Sequence, residues 1–140
     1  MRTDQEMDGI CGILRNTRSI AVVGMSDKPD RISRQIAEFL SDEGYEVVGV
    51  NPNCRNGGYI PVYPDLDSIP FEIDLVNVFR RSETIHEIIP AVLRKNPKTL
   101  WLQEGIINDE AVRPAVERGI KVIQDKCIAV CLRKCRQSAR

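Results

Sequence analysis

Five short apolar stretches, each rich in β-branched residues, recur along the chain and are separated by longer segments. Their hydrophobic residues are nearly continuous, which is typical of strands that are covered on both faces of a parallel sheet. Antiparallel strands with one solvent-exposed face would instead alternate apolar and polar residues. We therefore expect five parallel strands, at residues 19–24, 46–51, 74–79, 99–103 and 121–124.

Helical spacing marks most of the segments between these strands. After the first strand, Ile32, Ile36 and Leu40 fall on one stripe, and Gly44 stands at the usual carboxy-terminal cap position. Asn108 is a typical amino-terminal cap for a later helix that ends at Gly119. The expected helices are 32–43, one from about 88 to 95, and 109–118, with shorter helices at 8–15 and 127–135.

Prolines interrupt this pattern in two regions. Pro90 lies inside the second stripe, so we expect a short turn before it and the main helix from about Ile88. The segment from Pro52 to Phe71 carries four prolines and two adjacent glycines without a helical stripe. It is expected to be a loop-like crossover with one helical turn near Leu66.

The length and element order indicate one domain. A chain of 140 residues fits the usual size of a single domain, which we place at 1–140. Residues 1–18 form an amino-terminal helical segment, and residues 126–140 form a basic, cysteine-containing tail that frays toward its end. Right-handed crossovers turn this order into an α/β, Rossmann-like, doubly wound five-stranded parallel sheet.

Charge and hydropathy exclude two classes of partner. Twenty Lys and Arg residues balance twenty Asp and Glu residues, so the chain lacks the basic footprint of a general nucleic-acid binder. No apolar run approaches the roughly 18 residues that span a bilayer, and the amino terminus is acidic. We expect a cytoplasmic protein that binds neither nucleic acid nor membrane.

The loop after the first strand is the first candidate site. Ligands of such sheets bind beyond the carboxyl ends of the strands, where the strand order reverses. Here Gly24 permits a sharp turn, Ser26 and Ser33 offer hydroxyls, and Lys28 and Arg31 add positive charge beside a helix start. The loop is expected to hold a phosphate or pyrophosphate. The alternative is a plain strand-to-helix turn, since the full G-x-G-x-x-G pattern is absent.

The second strand ends in Asn51-Pro52, where NAD sites usually place an acidic residue. A neutral amide does not repel a phosphate on the ribose, which favours a 3′- or 2′-phosphorylated adenosine over NAD. The alternative is that Asn51 is a structural turn residue. Further along, Phe79 is expected to lie against an adenine or pantetheine group, Arg80 to neutralise phosphate or face solvent, and Gly105 to permit close ligand approach.

Together these residues resemble small stand-alone CoA-binding proteins, which are related to the CoA-binding domain of the succinyl-CoA synthetase α-subunit and to that of acyl-CoA synthetases. The matching motifs are Gly24-x-Ser26, Lys28-Pro29, Arg31-x-Ser33, Asn51-Pro52, Val78-Phe79-Arg80, Trp101-Leu102-Gln103-x-Gly105 and Asp125-Lys126-Cys127. The resemblance implies a Rossmann-like fold that binds CoA, with the pyrophosphate near the loop from Gly24 to Ser33. The implied contacts are Gly24, Ser26, Lys28, Arg31, Ser33, Asn51, Pro52, Phe79, Arg80 and Gly105.

The five cysteines are an odd number, and we expect reduced thiols rather than a disulfide framework. Cys127, Cys131 and Cys135 share one helical face, where they are expected to be packing thiols. The alternatives are a metal site and redox or mixed-disulfide chemistry with the CoA thiol. His86, the one histidine, is expected to be an ordinary surface or cap residue rather than a phosphate carrier.

No nucleophile–base pair is visible, so we nominate no catalytic residue and no metal ligand. The expected function is to bind CoA or acyl-CoA as a non-catalytic carrier, sensor or subunit. The alternative is an enzyme, either an NADP-type oxidoreductase fragment or a component of a multi-subunit acyl-CoA ligase. A homodimer and a partner enzyme of unknown identity are compatible with either function.

Overall fold

In the computed structural model, which describes residues 2–138, six strands form one parallel sheet. The strands are β1 (Ser19–Val23), β2 (Glu46–Val50), β3 (Val62–Tyr63), β4 (Leu75–Val78), β5 (Thr99–Leu102) and β6 (Lys121–Ile123). They are ordered β3-β2-β1-β4-β5-β6, and every neighbouring pair is parallel. Strands β2 and β3 therefore lie on one side of β1, and β4, β5 and β6 lie on the other, so the strand order reverses between β1 and β4. In sheets of this kind the ligand crevice lies at the carboxyl ends of the two strands where the order reverses.

Five helices cover the two faces of this sheet. They are α1 (Arg2–Arg15), α2 (Ile32–Asp42), α3 (Ile85–Lys95), α4 (Asp109–Arg118) and α5 (Ile128–Ser138). One apolar cluster lies under α3 and α4, and a second lies under α1, α2 and α5. No helix among residues 2–138 is long and apolar enough to cross a membrane.

The double cover explains why the strands are almost continuously hydrophobic. In β1, Ala21 and Val23 join the cluster under α3 and α4, whereas Ile20 and Val22 join the cluster on the other face. Successive side chains of a strand point to opposite faces, so a strand with helices on both sides needs apolar residues at every position. The prediction of an α/β parallel sheet is confirmed.

The predicted strand count of five is wrong, because the segment from Pro52 to Phe71 contains β3. Its two residues, Val62 and Tyr63, pair with Gly49 and Val50 at the edge of the sheet. A two-residue strand is too short to show a hydrophobic pattern, and the prolines on either side are typical of a sheet edge. The predicted helical turn in this segment is confirmed at Leu66–Ser68.

Two predicted helix starts are also too late. Helix α3 begins at Ile85 and contains Pro90, and α1 begins at Arg2 rather than at Asp8. Pro90 is exposed while Ile89 and Val92 beside it are buried. Burial of this apolar stripe offsets the hydrogen bond that a proline removes from a helix interior.

The prediction of five reduced cysteines is wrong for two of them. Cys11 of α1 and Cys135 of α5 form a disulfide across a sequence separation of 124 residues, whereas Cys54, Cys127 and Cys131 are free. The frayed tail expected from residue 133 onward is wrong for residues 133–138, which belong to α5; residues 139 and 140 lie outside the described residues. One face of α5 is buried in the core, and Arg136 forms a 2.6 Å ion pair with Glu43.

The disulfide yields a direct chemical prediction. Of the five cysteines, the unfolded but unreduced protein should expose only three to iodoacetamide, and all five should react after reduction. Because the bond closes a long loop in the unfolded chain, Cys11→Ser should lower the free energy of unfolding by roughly 2–5 kcal/mol. Mass spectrometry and denaturant unfolding measure the two effects. Uptake of five alkyl groups without reduction would contradict the pairing.

Candidate functional site

A cavity of about 550 Å³ lies at the carboxyl ends of β1, β2 and β4, where the strand order reverses. It brings together five of the ten predicted contact residues: Gly24, Asn51, Pro52, Phe79 and Arg80. We call this cavity the crevice. Its remaining walls are Val23, Val50, Asn53, Pro64, Asp65, Leu66, Glu87, Ile88 and Ala91.

Gly24 fixes the shape of the crevice floor. Its φ angle is +89°, a conformation that side chains of L-residues rarely adopt, and a Cβ here would lie 2.3 Å from the carbonyl oxygen of Phe79. Its N–H donates a 2.8 Å hydrogen bond to the carbonyl of Val50, and the N–H of Phe79 donates one of 2.8 Å to Val23. The ends of three strands therefore meet at a point that only glycine can occupy.

Ser26 and Ser33, the two serines whose hydroxyls are predicted to contact a ligand, accept hydrogen bonds within the loop after β1. The backbone N–H of Ser26 donates a 3.0 Å hydrogen bond to Oγ of Ser33, and the N–H of Lys28 donates one of 3.0 Å to Oγ of Ser26. Ser33 is buried. Neither serine lines the crevice, and nor do Lys28 and Arg31, so this loop forms a rim beside it.

Arg34 is the principal residue of this region that the sequence analysis missed. Its guanidinium is buried and donates hydrogen bonds to the carbonyls of Ser26, Asp27 and Asn56 at 3.4, 3.0 and 3.1 Å. It also forms a 2.9 Å ion pair with Glu38. Arg34 thus ties the loop after β1 to the loop after β2. Its position on helix α2 carried no signal of this role, since most arginines on such helices face solvent.

The amino-terminal end of α2 is free to attract an anion. Arg31 occupies the cap position without a side-chain cap hydrogen bond, and the first turn contains no acidic residue. Lys28 and Arg31 are exposed, and neither joins an ion pair within residues 2–138. A helix amino terminus presents unpaired N–H groups and a partial positive charge. Lys28 and Arg31 reinforce this charge, whereas the exposed Asp27 and Asp30 of the same loop oppose it, so residues 24–33 carry no formal net charge.

Asn51 is placed as a turn residue. Its Nδ2 donates a 3.1 Å hydrogen bond to the carbonyl of Met25, and its Oδ1 accepts one of 2.9 Å from the N–H of Asn53. The side chain therefore joins the end of β2 to the loop after β1. It still leaves the crevice without a carboxylate at the position where NAD sites carry one.

The charges inside the crevice differ from those on its rim. Arg80 is engaged in a 2.8 Å ion pair with Glu87, and Asp65 caps the turn at residues 66–68 by accepting from the N–H of Ser68. One guanidinium against two carboxylates gives no net attraction for a polyanion. Most of the other walls are apolar, so the crevice suits an uncharged part of a ligand and the rim suits its phosphates.

A second hollow of about 500 Å³ lies beside the crevice and shares its Phe79 and Arg80 walls. Gly105 lies here, where its N–H donates a 2.6 Å hydrogen bond to Oδ1 of Asp125. Its φ angle is +87°, and a Cβ built on it meets nothing within 4 Å. Gly105 is therefore beside the crevice rather than in it.

A larger hollow, of about 870 Å³, lies elsewhere. It is formed by α1, the residues at the amino ends of β5 and β6, and Gly119, and it contains none of the ten predicted contact residues. Ligands of doubly wound sheets bind at the opposite ends of the strands, which are their carboxyl ends. Position in the fold therefore favours the smaller crevice over the larger hollow.

The groups considered for metal binding, phosphate transfer and thiol chemistry lie outside the crevice in the described part of the chain. Among residues 2–138, no group of three or more His, Cys, Asp or Glu residues is arranged to hold a metal ion. His86 is exposed on α3. Burial raises the pKa of the Cys54 thiol above its usual value, so this thiol remains protonated at neutral pH.

Comparisons with known proteins match nearly the whole chain. A family model described as "CoA binding domain" matches residues 18–133. The uncharacterized protein YneT of Bacillus subtilis (strain 168) is 40% identical to the chain over 118 residues, which are 84% of this chain and 87% of YneT.

Two solved structures are similar over almost their full length. Prb, described as the PH1109 protein redesigned for binding, has a TM-score of 0.89 and 28% identity, covering 93% of this chain and 92% of its own. The protein cell-free ID.343 from Thermus thermophilus has a TM-score of 0.82 and 29% identity, covering 94% of this chain and 98% of its own. The Rossmann-like fold is thus shared with these proteins over nearly all of the residues compared.

The contact at Gly24 gives a prediction with a matched control. Gly24→Ala should lower the free energy of unfolding by about 2–5 kcal/mol, because left-handed strain adds to an overlap with the Phe79 carbonyl. Gly119→Ala should lower it by only about 1–2 kcal/mol, since its φ angle is +95° but its surroundings are open. Denaturant unfolding compares the two variants. Equal losses would contradict the close approach at Gly24.

Proposed function

The chain belongs to the CoA binding domain family, and from this premise we propose that it binds CoA or acyl-CoA across the crevice as a non-catalytic carrier, sensor or subunit. The observation that carries the proposal is the position of a largely apolar crevice beside the uncapped amino-terminal end of α2, with Lys28 and Arg31 exposed there, at the point where the strand order reverses. CoA has matching parts, because its phosphates lie between an adenine ring and an uncharged pantetheine arm.

The ligand is proposed to lie across the carboxyl ends of the strands. Its phosphates meet Lys28, Arg31 and the amino-terminal end of α2, where backbone N–H groups and two free cations favour an anion. The adenosine end lies in the crevice beside Pro52, which is next to Asn51. The neutral side chain of Asn51 does not itself repel a phosphate on the ribose, so this phosphate can turn toward the rim and away from Asp65 and Glu87.

The pantetheine arm is proposed to pass over Phe79 toward Gly105. These two residues line the second hollow, which shares Phe79 and Arg80 with the crevice. An aromatic ring offers a broad apolar surface to the arm. The absence of a side chain at Gly105 lets the arm approach the backbone closely.

A ligand series tests this assignment. CoA should bind with a dissociation constant below about 100 μM and more tightly than NADP or NAD. Dephospho-CoA, which lacks the 3′-phosphate, should bind roughly tenfold more weakly, because the charge-assisted contact between that phosphate and the rim is lost. Isothermal titration calorimetry measures all four ligands. An equal or tighter response to NADP would instead favour an NADP-type oxidoreductase fragment.

Charge reversal on the rim tests where the phosphates lie. Lys28→Glu and Arg31→Glu should each weaken CoA by at least roughly tenfold while leaving the free energy of unfolding within about 0.5 kcal/mol. Lys121→Glu is the matched control, because Lys121 is exposed at the amino end of β6. Its affinity should be unchanged. Wild-type affinity in both rim variants would remove the loop from the site.

A further inference from the structure

A third hollow, of about 250 Å³, lies between helices α1 and α5 and contains two free thiols. We call it the thiol pocket. Cys127 and Cys131 line it together with Lys126, Lys134 and Val130. Its other walls are Glu6, Met7, Ile10, Glu104 and Asp125.

The thiol pocket lies near the carboxyl ends of the strands, as the crevice does, because Glu104 follows β5 and Asp125 follows β6. The turn between β6 and α5, which carries Cys127, is fixed to β5 and to the residues that follow it. Three hydrogen bonds do this: Gly105 N–H to Asp125 Oδ1 at 2.6 Å, Trp101 Nε1 to the Lys126 carbonyl at 2.8 Å, and Ile128 N–H to Gln103 Oε1 at 3.0 Å.

Shared walls connect the three hollows in sequence. The crevice and the second hollow share Phe79 and Arg80, and the second hollow and the thiol pocket share Glu104. The thiol pocket also shares Glu6 and Ile10 with the larger hollow, so a ligand that approaches it from the carboxyl ends of the strands must start in the crevice and pass Gly105. The end of CoA that would arrive there is its sulfur.

The two free thiols of the pocket differ in accessibility. Cys131 is 6% exposed, and burial raises the pKa of its thiol. Cys127 is half-buried and stands at the start of α5, where the chain turns past Gly105. Cys135, on the same face of α5, is held in the disulfide with Cys11. Cys127 is the thiol that an arriving ligand meets first.

We propose that the thiol pocket receives the sulfur end of CoA and that Cys127 exchanges with CoA disulfides to form a mixed disulfide. The inference rests on the proposed function, because only a ligand held in the crevice directs its sulfur to this pocket. The deprotonated Cys127 sulfur attacks one sulfur of the CoA disulfide. A bond forms between Cys127 Sγ and that sulfur, the original sulfur–sulfur bond breaks, and the other CoA leaves as a thiolate that takes up a proton.

The experiment treats the folded protein with CoA disulfide and follows its intact mass. One CoA should add per chain, and tandem mass spectrometry should place it on Cys127 in the peptide from Cys127 to Arg133. Glutathione disulfide carries the same reactive bond without the nucleotide, and it should react at least about tenfold more slowly at equal concentration. Cys127→Ser should abolish the addition, and the matched variant Cys131→Ser should retain it.

Rim variants show whether the reaction uses the crevice. Lys28→Glu and Arg31→Glu should slow the addition in proportion to their loss of CoA affinity. Addition on Cys131, or equal rates with the two disulfides, would overturn the role of Cys127. Because the wild-type mapping needs no variant, a Cys127→Ser protein that fails to fold leaves the test intact.

Calorimetry with CoA on the same wild-type sample separates the two proposals. If CoA binds but CoA disulfide adds nothing to Cys127, the exchange site is wrong and the proposed function stands. If CoA does not bind, the proposed function fails, and any cysteine modification is then unrelated to the crevice.

Discussion

The close approach of Gly24 to Phe79 determines where this protein can hold a ligand. At this point β1 ends with its neighbours on both sides, β2 and β4, and the backbones come too near for any side chain at position 24. The left-handed turn of Gly24 sends the chain onward into the loop before α2. The crevice, the rim that exposes Lys28 and Arg31, and the hollow beside Gly105 all lie around this one turn.

A buried guanidinium keeps the rim in place without serving as a phosphate contact. Arg34 donates hydrogen bonds to three backbone carbonyls and forms an ion pair with Glu38, so its guanidinium joins two loops. Lys28 and Arg31 keep their charge available because they are exposed and outside the ion pairs of the described residues. Structural and ligand-directed cations thus differ in burial, although all three lie within one short stretch.

Several features were predictable because they repeat locally, and others were not because they depend on distant neighbours. Continuous apolar runs predicted the parallel sheet, and the ordered motifs predicted the family that the family model then confirmed. The edge strand β3 was missed because its two residues are defined by pairing with Gly49 and Val50. The disulfide joins residues 124 apart, and spacing alone cannot predict which thiols meet. The carbonyls that Arg34 contacts are likewise set by the folded loops.

The crevice and the larger hollow are the two candidate binding sites, and the larger hollow lies toward the amino ends of the strands. Amide chemical shifts measured during titration with CoA distinguish the two sites. The account predicts that CoA shifts the amide signals of Gly24, Lys28, Phe79 and Gly105 and leaves Gly119 and Lys121 unchanged. Shifts confined to Gly119, Lys121 and their neighbours around the larger hollow, or no shifts at saturating CoA, would contradict it.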